Sequence, residues 1–167
     1  MKKASIYLLL FFEIISCNIK RDATQTEAIK NLPSFNIIPL DSSRSYNSIL
    51  IKEGTPLVFL YFRTDCPHCN NETKELLKNI KSLKNVNFYF LTSDAMSELK
   101  EFNNYYHLTN YKNIFLARDD KFSFAKTFRP KYVPFIAIYD KQKKLIAVYQ
   151  KDVPIKLIQE RINGESI

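Results

Sequence analysis

Hydrophobic residues along this chain come in two patterns, short continuous runs and stripes at helical spacing. The densest run, Leu57-Val58-Phe59-Leu60-Tyr61-Phe62, offers apolar side chains to both faces of a strand and predicts burial on both sides. From Pro67 to about Leu83 the apolar positions Leu76, Leu77, Ile80 and Leu83 recur as one helical face. Val86 to Leu91 is strand-like. Ser93 and Asp94 are N-cap candidates for a helix whose buried face holds Met96, Leu99, Phe102 and Tyr106. Ile114 to Ala117 reads as a short strand, and Asp119-Asp120 could cap a brief helix carrying Phe124, Ala125 and Phe128 before Pro130 stops it. Phe135–Tyr139 and Leu145–Tyr149 flank the polar Asp140-Lys141-Gln142-Lys143, a hairpin signal. Pro154 fits the first turn of a last helix presenting Ile155, Ile158 and Ile162.

Upstream of the central run, Phe35–Leu40 and Ser48–Ile51 read as two short strands around the polar turn Asp41-Ser42-Ser43-Arg44. Gly54-Thr55-Pro56 then breaks the chain. After this hairpin the order is strand, helix, strand, helix, strand, helix, hairpin, helix. Such alternation argues for an α/β sandwich around a mostly parallel sheet, with the closing hairpin adding an antiparallel edge. Residues 34–167 form one domain on this reading, residues 17–33 a polar tether, and residues 1–16 a leader outside the fold.

The leader has a charged start, Lys2-Lys3, and a short apolar stretch from Ile6 to Phe12. That stretch is too short to span a bilayer as a mature helix. It ends in Ile14-Ile15-Ser16-Cys17, which resembles the lipobox of bacterial lipoproteins. The resemblance implies cleavage before Cys17, lipid on its sulfur, and a domain tethered to a bacterial membrane facing the periplasm. Of the 167 residues 46% are hydrophobic, which suits a globular domain and excludes a disordered chain. The formal charge is +8, but the lysines are scattered and no aromatic-and-basic groove motif accompanies them. Nucleic-acid binding is therefore a poor fit. Solubility, or attraction to an anionic membrane surface, suits the charge better.

Chemistry concentrates in Cys66-Pro67-His68-Cys69, placed between the apolar strand and the helix that follows. Two intervening residues put both sulfurs on one helical turn, and Cys66 falls where unpaired N–H groups favour a thiolate. The thiolate is the form that attacks disulfides. With Cys17 assigned to lipid, no cysteine is left over. Zinc needs four ligands, and the only histidines are His68 and the distant His107, so no metal site is expected. Copper chaperones prefer a wider cysteine spacing. A peroxiredoxin would have threonine three residues before its cysteine, whereas Thr64 lies two before Cys66. A bridge across two residues closes too small a loop to stabilise the fold much. Redox chemistry remains, with the electrons held by the cysteine pair and no dissociable cofactor required.

With that motif and that element order, the chain resembles the thioredoxin superfamily from about residue 34 to 163, and most closely its membrane-anchored TlpA/ResA-like branch. The resemblance implies a three-layer α/β/α sandwich with a mixed sheet and an N-terminal β-hairpin extension. It further implies that Cys66 is the nucleophile and Cys69 the resolving cysteine. Pro134 matches the family's cis-proline facing the pair, with Val133 beside it as a substrate-binding position. Glu72 matches a glutamate that assists proton transfer. Pro67 and His68, which modulate the site, are the dipeptide of DsbA-type oxidases. Asp65 stands where the family usually has tryptophan, and the chain has no tryptophan. Expected partners are thiol- or disulfide-bearing exported proteins and a membrane electron donor or acceptor. The competing reading is a lipoprotein that keeps the fold as a non-catalytic binding module.

Overall fold

An apolar strand buried on both faces needs partners on both edges and cover on both sides, and that is how Leu57–Tyr61 is housed. The computed structural model describes residues 27–164. Among them seven strands form one sheet: β1 (Asn36–Pro39), β2 (Tyr46–Asn47), β3 (Leu57–Tyr61), β4 (Asn87–Thr92), β5 (Ile114–Arg118), β6 (Phe135–Tyr139) and β7 (Leu145–Tyr149). Their spatial order is β2-β1-β5-β4-β3-β6-β7. Against the sheet pack the helices α1 (Pro67–Asn79), α2 (Met96–Tyr106), α3 (Ser123–Phe128) and α4 (Ile155–Asn163). None of the helices among the described residues is long and apolar enough to cross a membrane.

The sheet separates two cores. Val58 and Leu60 of β3 face one core, with Cys69, Leu76, Leu99, Phe102, Ile155 and Ile158 from α1, α2 and α4. Leu57, Phe59 and Tyr61 face the other, with Phe124 and Phe128 of α3 and with Phe35. Strand periodicity explains the split, because successive side chains leave opposite faces. The second core is mostly rings. Phe124 and Phe128 stack with centroids 4.1 Å apart, Tyr61 stacks on Phe124 at 5.1 Å, and Phe35 meets Phe59 edge-on at 5.5 Å. The three-layer α/β/α sandwich is thus present, with the hairpin β1–β2 added to the edge of β5.

Several expectations need correction. The sheet is not mostly parallel: only β3–β4 and β4–β5 are parallel, and the other neighbouring pairs run antiparallel. The N-terminal hairpin enters antiparallel to β5, and β6 returns antiparallel to β3, so parallel pairing is confined to the centre. The second predicted strand starts earlier and stops at Asn47, giving way to a 3₁₀ turn over Ser48–Leu50. Buried Ser48 drives that turn, because its hydroxyl donates to the Pro33 carbonyl and accepts from the Phe35 N–H. The first long helix tightens into a 3₁₀ turn at Ile80–Leu83. Ser93 and Asp94 do not cap α2; its N-cap is Ala95, whose N–H donates to the Glu98 carboxylate.

Residues ahead of 34 also pack onto this fold. Ile29 is buried in the second core, the Leu32 N–H donates to the Lys143 carbonyl, and Asn31 bridges to Lys144. The last residues of the expected tether are therefore built into the fold. The expected leader and Cys17 lie outside the described residues.

Candidate active site

Strand β3 delivers the chain to the carboxyl end of the sheet, where Phe62 still pairs with Leu91 before Arg63–Asp65 turn outward. Cys66 becomes the N-cap of α1 and Pro67 its first residue, a position where proline loses no helical hydrogen bond. The Cys66 sulfur accepts the Cys69 N–H at 3.3 Å, and the Cys66 carbonyl accepts the Asn70 N–H at 3.0 Å. Both cysteines are free thiols, Cys66 partly exposed and Cys69 wholly buried. Burial pushes the Cys69 thiol far up from its ordinary value, and its hydrogen bond with Cys66 adds to this. One sulfur can meet a second molecule. The other can meet only the first sulfur.

The loop before β6 closes over the pair because β6 is registered on β3, with Phe135 opposite Tyr61. Val133–Pro134 is a cis peptide. The Val133 carbonyl sits 3.9 Å from the Cys66 sulfur and accepts from its S–H. Pro134 is buried and Val133 half-buried, touching both cores. Cys66, Cys69, Val133 and Pro134 are therefore gathered at one point from two strand ends.

Glu72 lies one helical turn past Cys69, on the same buried face of α1. A first-turn surface acid would be open to water, whereas Glu72 is only 2% exposed. Its Oε2 accepts the Val153 N–H at 3.0 Å, and its Oε1 has no partner. Burial raises its pKa from 4.5 to about 7; the Val153 N–H opposes the rise, while Asp152 and Glu75 add to it. A half-satisfied carboxyl group that titrates near neutrality can both take and return a proton.

His68 and Pro67 face outward. His68 Nδ1 lies 3.6 Å from the Asp152 carboxylate, an ion pair when the imidazole is protonated. Asp65, which would otherwise place a negative charge beside Cys66, is held by the Arg63 guanidinium at 3.0 and 3.2 Å. Asp94 accepts both the N–H and the hydroxyl of Thr64, at 2.7 and 2.9 Å, and so fixes the turn into Cys66. Asp94 and the Asp152–Val153 pair were not singled out from sequence as parts of the site. In the sequence Asp94 stands as a helix-cap candidate, and Asp152 and Val153 carry no local signal. Beside the pair, between the start of α1 and the last turns of α2, opens a cleft of about 540 Å³.

No family model and no curated protein sequence matches this chain. Solved structures do match in fold. DsbF of Mycobacterium tuberculosis, in mixed oxidised and reduced forms, superposes with a TM-score of 0.65 at 20% identity, covering 83% of this chain and 97% of that one. A secreted M. tuberculosis disulfide oxidoreductase homologous to E. coli DsbE gives 0.64 at 17% identity, over 83% and 98% of the two chains. Copper-bound ScoI of Arabidopsis thaliana gives 0.62 at 14%, over 79% and 95%. The fold is thioredoxin-like.

Proposed function

We propose that this protein is a thiol–disulfide oxidoreductase that acts on exported proteins from a lipid anchor at Cys17. One observation carries the reading: a partly exposed sulfur caps a helix, accepts that helix's N–H, and shields a fully buried second sulfur. A non-catalytic module has no use for that asymmetry.

In the reducing direction the Cys66 thiolate attacks one sulfur of a substrate disulfide. A Cys66–substrate bond forms and one substrate thiolate leaves. Cys69 then gives up its proton and attacks the Cys66 sulfur. The second substrate thiol departs, and two electrons have passed from the cysteine pair to the substrate. Burial opposes ionisation of Cys69, so this step needs a nearby base. Glu72, buried on the same helical face with one free oxygen, is placed to accept the proton. Pro67, Val133 and Pro134 shape the opening through which the substrate sulfur arrives, and His68 stands at its rim. Oxidation of a dithiol substrate runs the same steps backwards.

Trapping in the full chain tests the reading. Cys69→Ser should accumulate mixed disulfides through Cys66, and Cys66→Ser should accumulate none. A Cys66 that fails to exchange with glutathione disulfide would overturn the proposal. Anchoring is tested separately, because Cys17→Ala should move the protein from the membrane pellet to the soluble fraction. A mutant that still sediments with membranes would remove the lipid claim.

A further inference from the structure

The cleft beside the cysteine pair has a chemical character that thiol exchange does not itself require. Its near wall is the motif's own surroundings, since Thr64 and Asp65 lead into Cys66 and Asn70 follows Cys69. Its far wall is α2, and the two are joined by a hydrogen bond from the Tyr106 hydroxyl to the Asn70 side chain at 3.1 Å. Tyr106 lies against Phe102, with centroids 4.7 Å apart, and meets Tyr105 edge-on at 4.8 Å. Tyr105 is 72% exposed, an aromatic ring left standing in water in the same cleft as Thr64, Asp65 and Asn70.

Charge there runs against the rest of the chain. Asp65, Glu98 and Glu101 line the cleft against a single lysine, Lys74. Asp94 lies just behind, where it and Glu98 join Asp65 in acting on the Arg63 guanidinium. Four carboxylates therefore face two cations in a protein whose formal charge is +8. Aromatic faces between carboxylates attract a cation on a flexible stem, through the ring quadrupole and the surrounding negative field.

We propose that this cleft recognises a lysine or arginine flanking the reactive cysteine of the substrate polypeptide. The proposal rests on the thiol-exchange reading, and it adds a substrate class to that reading: cysteine-bearing segments with a basic neighbour. Charge complementarity steers such a segment to the cleft, and the cleft's contact with Thr64, Asp65 and Asn70 brings the adjacent disulfide to Cys66.

The test uses the reduced full-length protein and three synthetic peptides. Each peptide has a single cysteine in disulfide linkage to 2-mercaptoethanol, flanked by two lysines, two serines or two glutamates. Bis(2-hydroxyethyl) disulfide is the uncharged, peptide-free probe. Every rate is divided by the rate of the same disulfide with free 2-mercaptoethanol, which removes intrinsic differences in reactivity. The normalised order should be lysine, serine, glutamate, with about a tenfold spread at low ionic strength that shrinks as salt is added. Glu101→Lys should compress the lysine-to-glutamate ratio at least about threefold. Tyr105→Ala should lower that ratio while keeping its salt dependence. Equal normalised rates, or a ratio untouched by Glu101→Lys, would overturn the cleft assignment and leave thiol exchange standing. No reaction even with bis(2-hydroxyethyl) disulfide would overturn the exchange reading itself.

Discussion

Among the described residues two carboxyl groups are buried, on opposite sides of the sheet, and they are treated differently. Asp119, with no exposed surface, accepts the Phe124 N–H on one oxygen and the Ala125 N–H on the other, both at 3.0 Å. It ties the end of β5 to the first turn of α3 and spends its acceptor capacity on structure. Glu72 is buried nearly as deeply but receives one N–H, from Val153, and keeps its other oxygen empty. A carboxylate supplied with donors on both oxygens is a structural part, because its charge is already answered. A carboxyl group with one answered oxygen is costly as an anion, so it is held near its protonated form and remains available for proton exchange. Burial alone does not separate the two roles. Hydrogen-bond supply does.

The contrast is broken most forcibly at Asp119. Replacing it by alanine removes a helix cap and leaves two N–H groups unanswered, which should cost about 2–4 kcal/mol of stability. Chemical denaturation at pH 7 measures the loss. The rate of Cys66 exchange, scaled to folded protein, should stay within about twofold, since no contact of Asp119 reaches the cysteine pair. A collapse of exchange in a folded Asp119→Ala protein would show that this carboxylate is not purely structural.

Glu72→Gln should do the reverse. The Glu72 carboxyl ionises near 4.5 when exposed and about 7 when folded. Between those values the unfolded chain has released a proton that the folded one keeps. Stability contributed by the neutral form is therefore complete below about pH 4.5 and lost as pH rises through about 7, by up to roughly 3 kcal/mol. Glutamine still accepts the Val153 N–H but cannot ionise, so the variant should lack this slope and be the more stable protein at pH 8. Denaturation curves from pH 4 to pH 8 decide it, and identical pH dependence in both proteins would contradict the raised value.

Next in size is the kinetic counterpart. In a preformed Cys66 mixed disulfide, resolution by Cys69 should accelerate as Glu72 ionises through about pH 7. Glu72→Gln should erase that inflection and slow the step on the order of a hundredfold. An unchanged pH profile would leave Glu72 without a chemical role. Smallest is the effect of Asp152→Asn, which removes a negative neighbour that helps hold Glu72 up. Both the stability slope and the kinetic inflection should then move to lower pH, and movement of only one would show that they report different groups.

Most of the architecture could be read in the chain because its signals are local. Six apolar residues in succession marked β3, and Cys66-Pro67-His68-Cys69 marked the start of α1. The hairpin around Asp140–Lys143 appeared where its polar turn lies between two apolar runs. What escaped depends on distant partners. Val153 reaches Glu72 across 81 positions, and Asp94 reaches Thr64 across 30, so nothing in their own neighbourhoods announces either contact. Ser48 looked like an ordinary strand residue, yet its buried hydroxyl bends the chain by bonding to residues 13 and 15 positions earlier. Residues 29–32 looked like linker because their partners, Tyr139, Lys143 and Lys144, belong to the far hairpin. The resemblance pointed to Glu72, but only packing revealed that its carboxyl group is short of a donor.

The junction of Asn31 with Lys144 also gives the molecule a front and a back. β6 starts beside Pro134 at the cysteine pair and runs away from it, so the Asp140–Lys144 turn lies at the opposite pole. Ile29 to Leu32 are fastened at that same pole, by the Tyr139 hydroxyl and the Lys143 carbonyl. Anything that pulls on the chain ahead of Glu27 therefore pulls from the rear. The described chain thus begins at one pole and carries its partly exposed sulfur at the other, so a second molecule can approach Cys66 without meeting the segment that leads into the fold.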